Sequence, residues 1–68
     1  MDRGNIRVGG TYLCSSDYLS WSFIGRAVSM GKYTVKVELL KCHPSDRLAL
    51  DSDNPVLKVN YLSVLDAI

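Results

Sequence analysis

The stretch KCHPSDR puts Cys42, His43, Ser45 and Asp46 within five residues of one another, and these are the side chains from which nucleophilic catalysis is built. A nucleophile and its base must meet in space, however, and neighbours in an extended chain point to opposite sides. Cys42 and His43 therefore make a poor dyad, and no third group is placed to orient the ring. His43, the only histidine, reads as a surface residue before a turn-making proline. Metal chemistry fares no better. Structural zinc takes four ligands in close-spaced pairs, whereas Cys14 stands alone and Cys42 and His43 are adjacent. DSDNP, with Asp51 and Asp53, has the acidic spacing of a calcium loop but neither its glycine nor its distant glutamate. Together with Asp46 these acids read as a solvated turn. Gly31-Lys32 lacks the earlier glycine and the following helix of a phosphate loop. No catalytic residue, metal or cofactor is assigned.

Binding chemistry has more to work with. CSSDYLSWS spends the only tryptophan in a serine-rich segment, so that Tyr18, Leu19, Trp21 and Phe23 lie in or beside one loop. Leu19 and Phe23 suit plugs for a small core. Tyr18 and Trp21 are the side chain types that concentrate binding energy at interfaces, because they bury much area at low entropic cost. With Arg26 and Lys36 setting orientation, they make a candidate protein-binding surface. A second surface combines Arg26, Lys32, Tyr33 and Lys36, a basic row with an aromatic of the kind that tracks a nucleic-acid backbone. Glu38 interrupts that row, and lysines on an outer strand face also serve to blunt edge pairing.

The elements that must carry these residues show a period of two. In KYTVKVELLKC, Tyr33, Val35, Val37 and Leu39 alternate with Thr34, Lys36, Glu38 and Leu40, the pattern of a half-buried strand. IRVGGTYLC places Ile6, Val8, Tyr12 and Cys14 on one face, and FIGRAVSM does the same for Ile24, Val28 and Met30. Gly31 falls between two such runs, where a hairpin turn takes a residue of positive φ, so residues 23–41 are expected to form a β-hairpin. HPSDRLALDSDNP is a polar excursion whose RLAL fits either a short strand or a helical turn. After Pro55, Val56 to Val59 reads as strand, NYLS as one tight turn and VLDAI as a closing strand. No helical stripe of three turns occurs.

The totals agree with one small globular domain spanning residues 1–68. Of the residues 47% are hydrophobic and 22% charged, which argues against disorder. At this length the core leaves a margin of only about 3–5 kcal/mol. A net charge of +1 supplies no overall field toward nucleic acid or anionic membrane. No apolar run is long enough for a membrane-spanning helix. MDRGNIRVGG lacks the apolar stretch of a secretory signal, so a cytoplasmic protein with two reduced cysteines is the expectation.

This order of elements resembles the small SH3-like barrels, a group that includes Tudor and KOW modules. The resemblance rests on VGGTY in the first strand and CSSDYLSWS in the place of the long first loop. GRAVSMGKYTVKV stands as the hairpin, and VLKVNYLSVLDA as strand, single turn and short strand. It implies an all-β fold, a small five-stranded SH3-like barrel with one short helical turn near the C-terminus. The acidic loop cluster, paired tryptophans and Pro-x-x-Tyr of peptide-binding SH3 domains are missing, so polyproline recognition is not implied. The excursion from His43 to Asn54 is also longer than usual for such barrels. The expectation is a non-enzymatic binding module whose partner is another protein. Its size is common among bacterial and phage accessory proteins. A nucleic-acid-binding barrel is the alternative, and a homodimer formed through a strand edge or the aromatic loop a third reading.

Overall fold

A computed structural model describes residues 1–48, 50 and 55–68. Among the described residues, five antiparallel strands form one sheet: β1 (Thr11–Cys14), β2 (Phe23–Met30), β3 (Thr34–Lys41), β4 (Val56–Asn60) and β5 (Val64–Ala67). Their order in space is β4-β3-β2-β1-β5, a meander whose last strand returns to pair with the first. β4 and β5 thus lie at opposite edges of an open sheet. One α-helical turn, α1 (Pro44–Arg47), follows β3, and a 3-10 turn (Tyr61–Ser63) joins β4 to β5. A second 3-10 turn (Arg3–Asn5) precedes β1.

The alternation in β3 is what the sequence predicts: Val35, Val37 and Leu39 are wholly buried, while Lys36 and Leu40 are exposed. Tyr33 departs from it. It belongs to the three-residue loop before the strand begins and is exposed. Val8 departs for a similar reason, since it sits in a turn and only Ile6, Tyr12 and Cys14 of its expected face reach the core.

The larger correction concerns β2. Its core side is Phe23, Gly25 and Ala27, not the face of Ile24 and Val28. The register of β2 on β3 shifts between Ala27 and Ser29. One extra residue reverses the alternation, which returns Met30 to the core side, where it packs partly buried. Further shifts occur at Ile24/Gly25 and at Leu13/Cys14. Bulges bend and twist strands, and a single sheet covers more of its own apolar face when it bends.

Glycine chemistry also differs from expectation at the hairpin. Gly9, in the turn before β1, is the only described residue with positive φ, at 92°. At Gly31 the requirement is one of space: its N–H donates to Thr34 O at 2.8 Å, and a Cβ there would stand 3.2 Å from that same oxygen. The hairpin tip is held further by the Tyr61 hydroxyl and by Arg3 Nε, both of which donate to Gly31 O.

RLAL begins as helix rather than strand. Arg47 closes α1, Leu48 is in a turn, and the rest falls at or beside residues outside the described set, as do Asp51 and Asp53. His43 initiates the helix, with its Nδ1 accepting from Ser45 N at 3.2 Å and Pro44 in the first turn, where a missing N–H costs nothing.

Candidate functional site

Asp46 decides the shape of the site. The sequence suggests a solvated acid; in the structure it is 6% exposed and reaches across to the loop between β1 and β2. Its two carboxylate oxygens accept the main-chain N–H groups of Ser20 and Trp21, each at 3.0 Å. One helical turn, started by His43 and Pro44, aims this carboxylate inward, and the carboxylate clamps the serine-rich loop. A buried charge is tolerated there because both oxygens are hydrogen-bonded.

The clamp sorts the loop's large side chains. Leu19 and Phe23 point inward and are buried, as plugs should be. Trp21 points outward, 56% exposed, and its ring stacks on His43 with centroids 4.7 Å apart and planes inclined by 14°. Tyr18 is 82% exposed and does not join it. It borders a separate, more polar hollow with Ser15, Ser16, Asp17, Lys58 and Asn60.

Beside the Trp21–His43 stack lies a groove of about 350 Å³. Its apolar surface comes from Leu13, Phe23, Ile24 and Pro44, and its remaining wall from Ser22, Lys41 and Cys42. Strand register explains the assembly: Leu13 faces Ile24 across β1–β2, and Ile24 faces Lys41 across β2–β3. Three strands therefore contribute neighbouring positions at one end of the sheet, and the clamped loop and α1 close the flank.

The remaining predicted residues lie outside this groove. Arg26 is one cross-strand row away and forms an ion pair with Glu38, Nη2 to Oε1 at 3.0 Å. That contact occupies the guanidinium with an acid of its own chain. Lys36 lies a further row along, directly opposite Lys58 of β4. Like charges facing each other across a ladder are mildly destabilising, and neither lysine forms an ion pair among the described residues. Lys32 is at the hairpin tip with its ammonium 5.3 Å from the Tyr33 ring centroid, and Tyr33 is 69% exposed. Of Tyr18, Trp21, Arg26 and Lys36, Trp21 alone lines this groove. Arg26, Lys32, Tyr33 and Lys36 all lie on the β2–β3 hairpin, with Arg26 in an ion pair with Glu38.

Sequence reasoning missed Leu13, Ile24, Lys41, Pro44 and, above all, His43 and Asp46. The HPSD stretch held the only available signal: a cap residue, a proline suited to the first turn and an acid in that turn. Neither the stack nor the clamp can be read there, because both depend on a loop more than twenty residues upstream.

Two thiols complete the chemistry. Cys14 is fully buried in β1, and desolvation pushes its pKa up to about 11. Cys42 is partly buried at the groove wall. His43 Nδ1 is engaged by Ser45 N and lies 2.7 Å from Ser45 Oγ, so this nitrogen is not available to activate Cys42. Among the described residues, no group of three or more His, Cys, Asp or Glu side chains is arranged to hold a metal ion. Among the described residues, no helix is long and apolar enough to cross a membrane. No protein-family model matches the chain, and neither does any curated protein or solved structure.

Proposed function

We propose that this chain is a non-enzymatic, cytoplasmic binding module that engages another protein through the groove beside Trp21. One observation carries the reading: an exposed tryptophan is held in place on both sides. Its main-chain N–H is clamped by buried Asp46 and its ring is stacked on His43. An aromatic fixed before binding loses little entropy on binding, which is how anchor residues supply affinity. The adjoining apolar groove gives a partner side chain somewhere to go. A ring needed only to fill the core would be buried, as Phe23 is.

The strand order supports placing the module among the SH3-like barrels. The features in favour are the meander β4-β3-β2-β1-β5, the long loop between β1 and β2, the tight β2–β3 turn and the 3-10 turn before β5. Loops at one end of such a scaffold are where binding residues concentrate.

The test compares capture by the wild-type chain with capture by Trp21→Ala and Lys36→Glu. A protein retained by the wild type and by Lys36→Glu, and lost with a folded Trp21→Ala, is the expected result. Retention that depends on Lys36 and not on Trp21 overturns it in favour of nucleic acid. That alternative draws on the Lys36–Lys58 pair and the exposed Tyr33, and it predicts affinity that falls steeply with salt.

A further inference from the structure

The charges around the groove say what kind of segment it accepts. Its lining contains one formal charge, the Lys41 ammonium, and no carboxylate. Lys41 is exposed and makes no ion pair among the described residues. Among the described residues, the acids nearest to it have partners of their own. Asp46 is turned inward on Ser20 and Trp21, and Glu38 is paired with Arg26. Asp66, opposite Leu13 on β5, accepts from Ala67 N at 2.9 Å. Asp17 lies by the other hollow.

His43 adds a second donor. Its Nδ1 is engaged by Ser45, 3.2 Å from the main-chain N and 2.7 Å from Oγ. With Nδ1 so engaged, Nε2 is the ring nitrogen left to donate toward the groove. A cation and an imidazole nitrogen accordingly border an apolar groove that has no carboxylate in its lining among the described residues. Its volume is at the low end for binding pockets, a fit for one or two side chains rather than a cofactor.

We infer that the groove takes a short peptide segment in which a bulky apolar side chain is flanked by carboxylates. The apolar group lies against Trp21, Leu13 and Ile24, and an acid meets Lys41 and His43 Nε2. This inference rests on the reading of the groove as the binding site, and it adds the chemistry of the partner. Nucleic acid is disfavoured at this end because the basic pair and the exposed tyrosine lie elsewhere, on the outer sheet and at the hairpin tip.

Three fluorescein-labelled synthetic ten-residue peptides test it by anisotropy with the whole chain. Each has a Leu-Phe centre, flanked by glutamates in the first, serines in the second and lysines in the third. The glutamate peptide is expected to bind about fivefold more tightly than the serine peptide at low salt, the worth of one favourable ion pair. The difference should shrink as salt is raised. Lys41→Glu, an exposed change that leaves the core intact, should reverse the order in favour of the lysine peptide. Trp21→Ala should abolish binding of all three.

Equal binding of the glutamate and serine peptides, lost in Trp21→Ala, would overturn the acidic preference and leave the groove reading standing. Binding indifferent to Trp21→Ala would sink both. No binding of any peptide up to about 1 mM, where affinity is only about 4 kcal/mol, would overturn the inference and leave the groove reading to the capture experiment. A labelled single-stranded oligonucleotide that binds more tightly than the glutamate peptide and displaces it would also overturn it.

Discussion

Replacing Asp46 by Asn keeps the side chain's size and removes its charge, so it isolates the clamp between α1 and the loop. Asp46 accepts two main-chain N–H groups, from Ser20 and Trp21, each at 3.0 Å. Hydrogen bonds to charged groups contribute about 1.5–3 kcal/mol each, and an orphaned donor costs about 1–3 kcal/mol. Asparagine can still accept one of the two, now without charge, but presents its own NH2 to the other. The expected loss is about 2 kcal/mol, a large share of the roughly 3–5 kcal/mol that a core of this size leaves. Urea unfolding should report it as a midpoint lower by about 2 M if the slope is about 1 kcal/mol/M. Trp21 gives an independent reading: its emission should shift to the red and acrylamide should quench it more readily, because the clamp that positions the ring has lost its charge and one of its two hydrogen bonds. Asp66→Asn is the control, an exposed carboxylate that holds only Ala67 N, and should stay within about 0.5 kcal/mol of wild type. An Asp46→Asn protein equally close to wild type would refute the clamp. So would one that loses stability with the environment of Trp21 unaltered, since Asp46 would then support the fold without placing the ring.

The two thiols should separate cleanly. Cys14, buried and with its pKa raised from 9.0 to about 11, should resist a thiol reagent that labels Cys42 in the folded chain; equal labelling of both would contradict the burial. The same shift bears on alkaline stability. The unfolded thiol releases its proton near pH 9 while the folded one retains it, so the unfolded state binds fewer protons and stability falls as pH rises. The contribution is fully present below about pH 9, is lost progressively up to about 11, and amounts to about 2–3 kcal/mol. Cys14→Ala should flatten that decline in a pH series of urea melts. At Gly25, an added Cβ would lie 3.1 Å from Val37 Cβ and 3.3 Å from Glu38 O, a buried side chain and a main-chain atom with little room to give. Gly25→Ala should therefore cost about 1–3 kcal/mol by overpacking, and an unchanged melting temperature would show that the β2–β3 contact is looser than these distances.

Parts of this fold are legible because they obey local rules. The Val35-Val37-Leu39 alternation buries the predicted face of β3, and NYLS forms its single turn before a short closing strand. β2 is misread because the bulge at Ala27/Ser29 reverses its alternation, and such a bulge is specified by how two strands pair. Tyr33 follows the strand pattern yet lies in the loop, since the pairing of β2 with β3 decides where the hairpin ends. Half of the candidate site was visible in the same way. Trp21 stands out as a tryptophan among serines, whereas Asp46 and His43 look like members of a polar excursion. Their roles depend on contacts with residues 22 to 26 positions earlier.

By itself the sequence determined a small domain of short strands, the positions of most turns, and a loop whose aromatic residues exceed what a loop requires. Those properties follow from side chain type and a period of two, which act over a few residues. Only the tertiary structure decided which face of β2 is core, which loop aromatics point in or out, and that a groove forms between Trp21 and Lys41. The reason is that each of these is a competition for limited buried volume among segments far apart in the chain. Leu19 and Phe23 take that volume, a buried Asp46 holds the main chain between them, and the indole of Trp21 is left outside against His43.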